Sequence, residues 1–177
     1  QASYDRIAKA KTGLVLDHPF YGTLAMNTKV TIDEAARLPN GTPSACTNYK
    51  RIMIHPEFLA AMNDDELLFV MGHEVSHPML AHNFRRGARD PWKWNIAGDI
   101  IINKLLVEGN IGKMPDGCLY DIDLWNRGGG TTNGVYDLLP PESEDGGGGL
   151  KQWDVCEDAA GDPSELAEAE ANCKVQV

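Results

Sequence analysis

The segment from Asn63 to His77 constrains the fold most strongly, because its pattern predicts one apolar helix that presents two histidines on the same face. Asn63 and Glu66 have the spacing of a helix cap with a carboxylate in the first turn. The apolar residues that follow are Leu67, Leu68, Val70, Met71 and Val75. An α-helix advances by about 100° per residue, so His73 and His77 lie about 40° apart around the axis and one turn apart along it.

The five residues from His73 to His77 form the motif H-E-x-x-H, which predicts a metal site. Two imidazoles one helical turn apart can bind one tetrahedral zinc ion. Glu74 lies beside this pair, where a carboxylate can act as the general base that takes a proton from the attacking water. The alternative interpretation is two ordinary helix histidines and a surface glutamate, and the apolar, capped helix favours the metal site.

A catalytic zinc ion needs a third protein ligand and an open fourth position, and the sequence offers two candidates. Asp99 is favoured, because it ends the otherwise apolar segment 94–99 of the next predicted helix, and a carboxylate in such a face needs a partner. His82 is the alternative, although on an unbroken helix it lies on the far face. Pro78 predicts a kink directly after the motif, since proline removes a backbone hydrogen bond and clashes with the preceding turn. A break there leaves His82 open as a ligand.

The rest of the pattern predicts an α+β fold, with a small twisted mixed sheet packed on the metal-site helix and a following ligand helix. Strands are predicted for residues 14–16, 24–32 and 47–54. Helices are predicted for residues 3–11, ended by Gly13, for the segment from Asp90-Pro91 to Gly109, and for residues 135–139. An extended peptide could pair with strand 47–54 at the edge of a cleft, and an ordinary core strand is the alternative.

The acidic residues are concentrated near the C-terminal end. Residues 140–177 carry a formal charge of −8 out of the total of −10. We therefore expect a folded domain over residues 1–140 and a Gly-rich, acidic extension with a short helix over residues 141–177. A solvated tail is the favoured interpretation of this extension. The alternative is an inhibitory segment over the cleft, tethered by the glycine run 146–149.

Composition excludes several classes of partner. The acidic charge argues against nucleic acid, which requires clusters of lysine and arginine. No apolar run approaches the ~20 residues of a membrane helix, and the first residues lack the pattern of a signal peptide.

The cysteines Cys46, Cys118, Cys156 and Cys173 form no C-x-x-C pair. We therefore expect free thiols in a reducing, cytoplasmic compartment, with a Cys156–Cys173 bridge as the alternative.

Motifs along much of the chain resemble one protein family. They are His18-Pro19-Phe20, His55-Pro56-Glu57-Phe58, His73 to His77 with His82 and Arg85, Asp90-Pro91, Trp94 to Asp99 with Asn103, Leu119-Tyr120-Asp121, and Val135 to Leu139. Over roughly residues 14–140 they resemble the putative metallopeptidase domain that precedes a von Willebrand A-like domain in bacteria and stands alone in phages. The resemblance implies a zincin-like fold, zinc peptidase activity and Asp99 as the third ligand. Pro78 departs from the family, in which a helix former is usual there, and no substrate follows from the resemblance.

We therefore expect a zinc-dependent peptidase that acts on a peptide or protein substrate. The expected metal ligands are His73, His77 and Asp99, and the expected base is Glu74. A further donor to the carbonyl oxygen in the transition state could come from Tyr120, Tyr136 or His82, although for each of them simple packing is the favoured explanation. Two alternatives stay open. The first is a zinc hydrolase of another amide, such as a cell-wall cross-link. The second is a non-catalytic, zinc-stabilised binding or assembly module.

Overall fold

The computed structural model describes residues 1–141 and 153–157, together with Ser164 and Ala167. In this part of the chain the helices are α1 (Ala2–Asp17), α2 (Pro19–Asn27), α3 (Pro56–Ala61), α4 (Asp64–Met79), α5 (His82–Arg85), α6 (Pro91–Glu108), α7 (Ile122–Arg127) and α8 (Thr132–Leu138). The strands are β1 (Lys29–Ile32), β2 (Ala45–Thr47), β3 (Arg51–Ile54) and β4 (Val155–Cys156). The predicted α+β class, with a small mixed sheet, is confirmed.

Helix α4 begins where the capping pattern predicts. Asn63 Oδ1 accepts a hydrogen bond from the backbone N–H of Glu66 at 2.9 Å, and Glu66 Oε2 accepts one from the backbone N–H of Asn63 at 2.9 Å. From Leu67 onward almost the whole helix is buried. A helix buried on all sides lies inside its fold, so α4 is the element around which the others pack.

The capping box gives a direct test of this local prediction. Asn63→Ala is expected to lower the free energy of unfolding by about 1 kcal/mol, because the backbone N–H of Glu66 loses its acceptor. Urea denaturation followed by circular dichroism measures the change. The control is Asn27→Ala at the exposed last residue of α2, expected to stay within about 0.5 kcal/mol of the wild type. If both substitutions changed the free energy of unfolding equally, the capping box would make no contribution of its own to stability.

The sheet has the strand order β1-β3-β2-β4. Strand β1 runs parallel to β3, β2 runs antiparallel to β3, and β4 runs parallel to β2. The largest cluster of buried apolar side chains joins this sheet to α1, α4 and α6, and its members include Ile7, Leu14, Ile52, Ile54, Phe69, Met71, Ile102 and Leu106. Strand β2 also contacts α4 directly. The sheet therefore lies against the helix that carries the H-E-x-x-H motif.

The N-terminal region differs from the prediction. Helix α1 passes through Gly13 and continues to Asp17, so the predicted strand 14–16 is wrong. Of the predicted strand 24–32, only the end forms β1, and the residues up to Asn27 belong to α2. Burial explains the difference, because α1 buries Ile7, Ala10 and Leu14 at helical spacing.

Close packing of α2 on α1 depends on one glycine. A Cβ atom at Gly22 would lie 2.4 Å from Val15 Cα, which is closer than any carbon contact allows. Gly22 therefore lets the backbones of the two helices touch, and this contact stabilises helix in a region where the local sequence pattern favoured strand.

The predicted strand 47–54 is two strands rather than one. Strands β2 and β3 form an antiparallel hairpin in which Thr47 lies opposite Ile52. Between them Tyr49 has a φ of 65°, a left-handed conformation that interrupts an extended strand. In the sheet, β2 lies between β3 and β4, so β2 rather than the whole segment provides the position beside β4.

Helix α6 follows its predicted signals. Asp90 Oδ1 accepts a hydrogen bond from the backbone N–H of Lys93 at 2.8 Å, and the helix ends before Gly109. It packs against α4 and buries Asn95, Asp99 and Asn103, which lie four residues apart on one face. Of the later helices, α8 begins three residues before the predicted segment 135–139, and α7 was not predicted.

Part of the acidic C-terminal region packs into this fold. Trp153 and Asp154 are buried, and β4 extends the sheet. The domain boundary at residue 140 stays a prediction. The glycine run 146–149 lies outside the described residues, as does most of the predicted last helix, in which Ser164 and Ala167 are helical. Within the described part of the chain, no helix is long and apolar enough to cross a membrane.

The thiols of Cys46 and Cys118 are free, as expected. Burial raises the pKa of Cys46 to about 12, and burial also raises the pKa of Cys118. Both thiols are therefore protonated near neutral pH and are poor metal ligands. Cys173 lies outside the described residues, so the Cys156–Cys173 bridge stays an untested alternative.

Candidate metal centre

His73 and His77 lie on the face of α4 that meets α6, as their one-turn spacing predicts. Their Nε2 atoms are 3.1 Å apart. On α6, Asp99 places Oδ1 3.6 Å from each of these nitrogens. All three side chains are 0% exposed. The three residues expected to be ligands therefore converge on one point between the two helices.

A fourth donor, Asp154, comes from the bend before β4 and was not predicted. Its Oδ2 lies 2.9 Å from Nε2 of His73 and 2.9 Å from Nε2 of His77. One ligand atom from each of the four side chains lies within 4.8 Å of every other. A signal was present in the sequence, because Asp154 stands between Trp153 and Val155, and the same argument that favoured Asp99 applies to it.

These donors fit a tetrahedral divalent ion. Ligand atoms about 2.0–2.1 Å from a tetrahedral zinc ion lie roughly 3.3 Å from one another. The separations between the two histidine Nε2 atoms, and from these atoms to the nearest oxygens of Asp99 and Asp154, run from 2.9 to 3.6 Å and bracket that value. Asp99 Oδ1 accepts no hydrogen bond from the described residues although it is buried, as expected of an oxygen whose partner is a cation. Imidazole and carboxylate ligands suit zinc and can also hold other divalent ions.

Hydrogen bonds behind the donors fix their orientation. His73 Nδ1 donates to Asn103 Oδ1 at 2.7 Å, and the Asn103 amide in turn donates to the Leu119 carbonyl at 2.7 Å. This network assigns the proton to Nδ1 and leaves the Nε2 lone pair of His73 directed at the metal position. Asn95 Nδ2 donates to Asp154 Oδ1 at 2.8 Å, with a longer contact of 3.3 Å to Asp99 Oδ2.

His82 orients His77 and lies outside the four-residue donor set. Helix α4 ends at Met79, and Ala81 takes a left-handed φ of 56°, so the chain turns and brings His82 back towards the motif. His77 Nδ1 lies 3.1 Å from His82 Nδ1, and His82 Nε2 lies 2.9 Å from Thr132 Oγ1. With Nε2 of His77 directed at the metal position, its Nδ1–H donates to His82 Nδ1, and the Nε2–H of His82 donates to Thr132. The break expected after Pro78 is real, but both ring nitrogens of His82 are engaged with protein groups.

Glu74 is buried beside the donors without a partner of its own. Its side chain is 0% exposed, and neither carboxylate oxygen makes a hydrogen bond within the described part of the chain. Burial and the negative charge of Asp154 raise the pKa of Glu74 well above its ordinary value, while the charge of His73 opposes this shift. The carboxyl group is therefore held near the metal position in an environment that favours its protonated form.

The donors influence one another's charge strongly. Burial lowers the pKa of His73, but the carboxylates of Asp154 and Asp99 outweigh it and raise that pKa well above its ordinary value. Burial raises the pKa of Asp154, but the two imidazoles outweigh it and hold that pKa well below its usual range. Burial and then Asp154 raise the pKa of Asp99, and burial lowers the pKa of His77. A cation requires deprotonated ligands, so metal binding at this centre must displace protons.

The two tyrosines considered as donors lie elsewhere. The Tyr136 hydroxyl accepts a hydrogen bond from the backbone N–H of Asp90 at 3.0 Å, which anchors the start of α6. Its ring packs against Trp94, and the Arg89 guanidinium stacks on both rings. Tyr120 is 42% exposed. The structure thus joins His73, His77 and Asp99, with Glu74 beside them, and leaves Tyr120 and Tyr136 outside the donor set.

Comparison with known proteins agrees with this centre. Residues 2–156 match the family described as the putative metallopeptidase domain. The match is longer than the resemblance seen in the motifs and includes Asp154. No curated protein and no solved structure matches the chain significantly. The family match spans most of the chain, and the chain therefore belongs to the family of putative metallopeptidase domains.

Proposed function

We propose that this protein is a zinc-dependent peptidase in which Glu74 is the general base. The proposed metal ligands are His73, His77 and Asp99. The observation that carries the proposal is the Glu74 carboxylate, which is fully buried and finds no hydrogen-bond partner among the described residues. Burying a polar group in this way costs roughly 1–3 kcal/mol or more. A role in packing does not account for that cost, whereas a role in proton transfer does.

The chemistry divides between the metal and the protein. A bound zinc ion would polarise the scissile carbonyl and lower the pKa of a nearby water molecule. Glu74 takes the proton of the attacking water and delivers it to the amine that leaves when the C–N bond breaks. The raised pKa of Glu74 suits the second step, because burial helps the carboxyl group to hold the proton until the amine accepts it.

The residues behind the ligands would keep this geometry in place. Asn103 holds the ring of His73, and the chain from His82 to Thr132 holds the ring of His77. Such partners fix the tautomer and direction of a metal-binding imidazole. In this proposal His82 is a positioning residue and not a third ligand.

One observation favours a second candidate function. Asp154 supplies a fourth protein donor, and a zinc ion with four protein ligands is typical of a structural site. A non-catalytic module stabilised by metal would use the same four side chains and would not need Glu74. The two candidates therefore differ in what replacement of Glu74 does.

Metal analysis distinguishes the ligands. One zinc ion per chain is expected for the wild type, measured by elemental analysis after dialysis against a competing chelator. Asp99→Ala is expected to lose far more affinity than His82→Ala, which should lose roughly 10- to 100-fold at most, because His82 acts only through His77.

The control is Asp137→Ala, which removes an exposed carboxylate on α8 and should leave the zinc content unchanged. If His82→Ala lost the metal while Asp99→Ala retained it, the proposed assignment of the third ligand would be reversed.

A further inference from the structure

Residues 153–157 lie along β2 as an extended peptide would. Strand β4 pairs with β2, with Val155 opposite Cys46. The backbone N–H of Glu157 donates to the Thr47 carbonyl at 2.9 Å, and the Asn83 amide donates to the Glu157 carbonyl at 2.6 Å. Addition of a strand at a sheet edge is a common mode of peptide recognition.

Besides Asn83, the side chains of Ser44 and Asn95 bind the main chain of this segment. Ser44 Oγ donates to the Trp153 carbonyl at 2.7 Å. Asn95 donates to the Asp154 carbonyl at 3.1 Å and accepts from the backbone N–H of Cys156 at 2.7 Å. Every peptide offers these backbone groups, so the same contacts would hold an extended peptide of another sequence in the same place.

The side chain of Trp153 fills a pocket next to the metal ligands. Its ring centroid lies 5.0 Å from that of His73 and 5.8 Å from that of Phe58, both in edge-to-face geometry. Trp153 is only 8% exposed. The pocket is therefore of aromatic size and lies one residue before the position held by Asp154.

Asp154 closes the centre. A catalytic zinc site keeps one coordination position for water or substrate, whereas here Asp154 Oδ2 lies 2.9 Å from Nε2 of both histidines. His73, His77, Glu74, Asp99 and Asp154 are each 0% exposed. Glu74 therefore has no contact with solvent in this structure.

We propose that the groove between β2 and α6 binds peptide substrates with a large aromatic side chain beside the metal, and that residues 153–157 occupy this groove in cis. The structure is then a self-inhibited form, in which Trp153 fills the aromatic pocket and Asp154 takes the place of solvent on the metal. Substrate and segment compete for one groove. This inference rests on the proposed peptidase function and adds a substrate preference and a means of control.

Access to the metal tests the inference without relying on hydrolysis. The full chain is loaded with Co²⁺, and its visible spectrum is recorded while acetohydroxamate is added. The wild-type spectrum is expected to stay unchanged, because Asp154 blocks the open position. Asp154→Ala is expected to keep its cobalt and to change spectrum on addition, and Asp137→Ala is expected to behave as the wild type. Ser44→Ala weakens the segment without altering a ligand and should give partial access.

Peptide competition tests whether residues 153–157 occupy the groove that a peptide would bind. A synthetic peptide with the sequence of residues 151–159 is expected to bind the double variant Trp153→Ala/Asp154→Ala, whose segment has lost both side chains that hold it beside the metal, roughly tenfold or more tightly than the wild type, whose groove is filled. A peptide with alanine in place of the tryptophan should bind more weakly than the original, because the aromatic pocket stays empty. Fluorescence anisotropy of a labelled peptide measures both affinities.

Each outcome decides a separate point. Loss of cobalt from Asp154→Ala, or a wild-type spectrum that responds to acetohydroxamate as readily as that variant, would overturn the inference and make Asp154 a permanent structural ligand or no ligand. If Asp154→Ala binds acetohydroxamate and the double variant binds the peptide, but neither hydrolyses peptides, cis occupancy stands and the peptidase proposal fails.

Discussion

Glu74→Gln is expected to lower peptide hydrolysis by a factor of roughly 100 to 10,000 without loss of metal, because the amide cannot take a proton from water. The comparison is made in the wild type and in a Trp153→Ala/Asp154→Ala background, in which the segment has lost the two side chains proposed to hold it beside the metal. Hydrolysis of a fluorogenic peptide library gives the rate, and elemental analysis gives the metal content.

The stability of the same variant gives a second readout. Burial and the charge of Asp154 raise the pKa of Glu74, which means that the ionised carboxylate opposes folding. A neutral glutamine should therefore unfold at the same or a higher urea concentration than the wild type when the metal has been removed. An inactive variant with unimpaired stability cannot be explained by misfolding.

The control for Glu74→Gln is Glu34→Gln, which neutralises an exposed carboxylate outside the donor set and should leave the rate unchanged. If Glu74→Gln hydrolysed peptides at the rate of its parent, the base assignment would be wrong. If neither Glu74→Gln nor its parent hydrolysed peptides, and Glu74→Gln still bound a partner as its parent does, the non-catalytic module would be favoured.

His73→Ala is expected to abolish metal binding and to lower the free energy of unfolding by about 3–5 kcal/mol, because it leaves buried carboxylates without their positive or metal partner. Asp99 and Asp154 both depend on this imidazole, and Asn103 loses the donor to its Oδ1. Urea unfolding in the presence and absence of zinc measures the effect. At a free zinc concentration 100 times the Kd, the wild type should gain about 2.7 kcal/mol, and the variant should gain none.

His18→Ala is the matched control, since His18 lies between α1 and α2 and outside the donor set. Its stability should respond to zinc as that of the wild type does. Equal stabilisation of His73→Ala by zinc would show that the ion binds elsewhere, and the four-donor centre would have to be abandoned.

Several parts of the fold follow from short-range pattern. The capping box at Asn63, the start of α6 at Asp90 and its end at Gly109 all appear as predicted. Each depends on hydrogen bonds between residues no more than a few positions apart, which the local sequence determines. The strand predicted at 14–16 and the first part of the strand predicted at 24–32 fail because the contact between α1 and α2 stabilises helix there, and that contact depends on Gly22 meeting Val15.

The candidate site also combines features set by the local sequence with features set by the tertiary structure. The face shared by His73 and His77, and the place of Glu74 beside them, follow from helical geometry over five residues, so the sequence by itself determined them. Asp99 could be inferred from its apolar surroundings, but its distance to the histidines depends on how α6 crosses α4. The contact of Asp154 with His73 joins residues 81 positions apart. Only the tertiary structure decided that contact, because it exists only where β4 adds to β2 and brings a distant carboxylate to the face of α4.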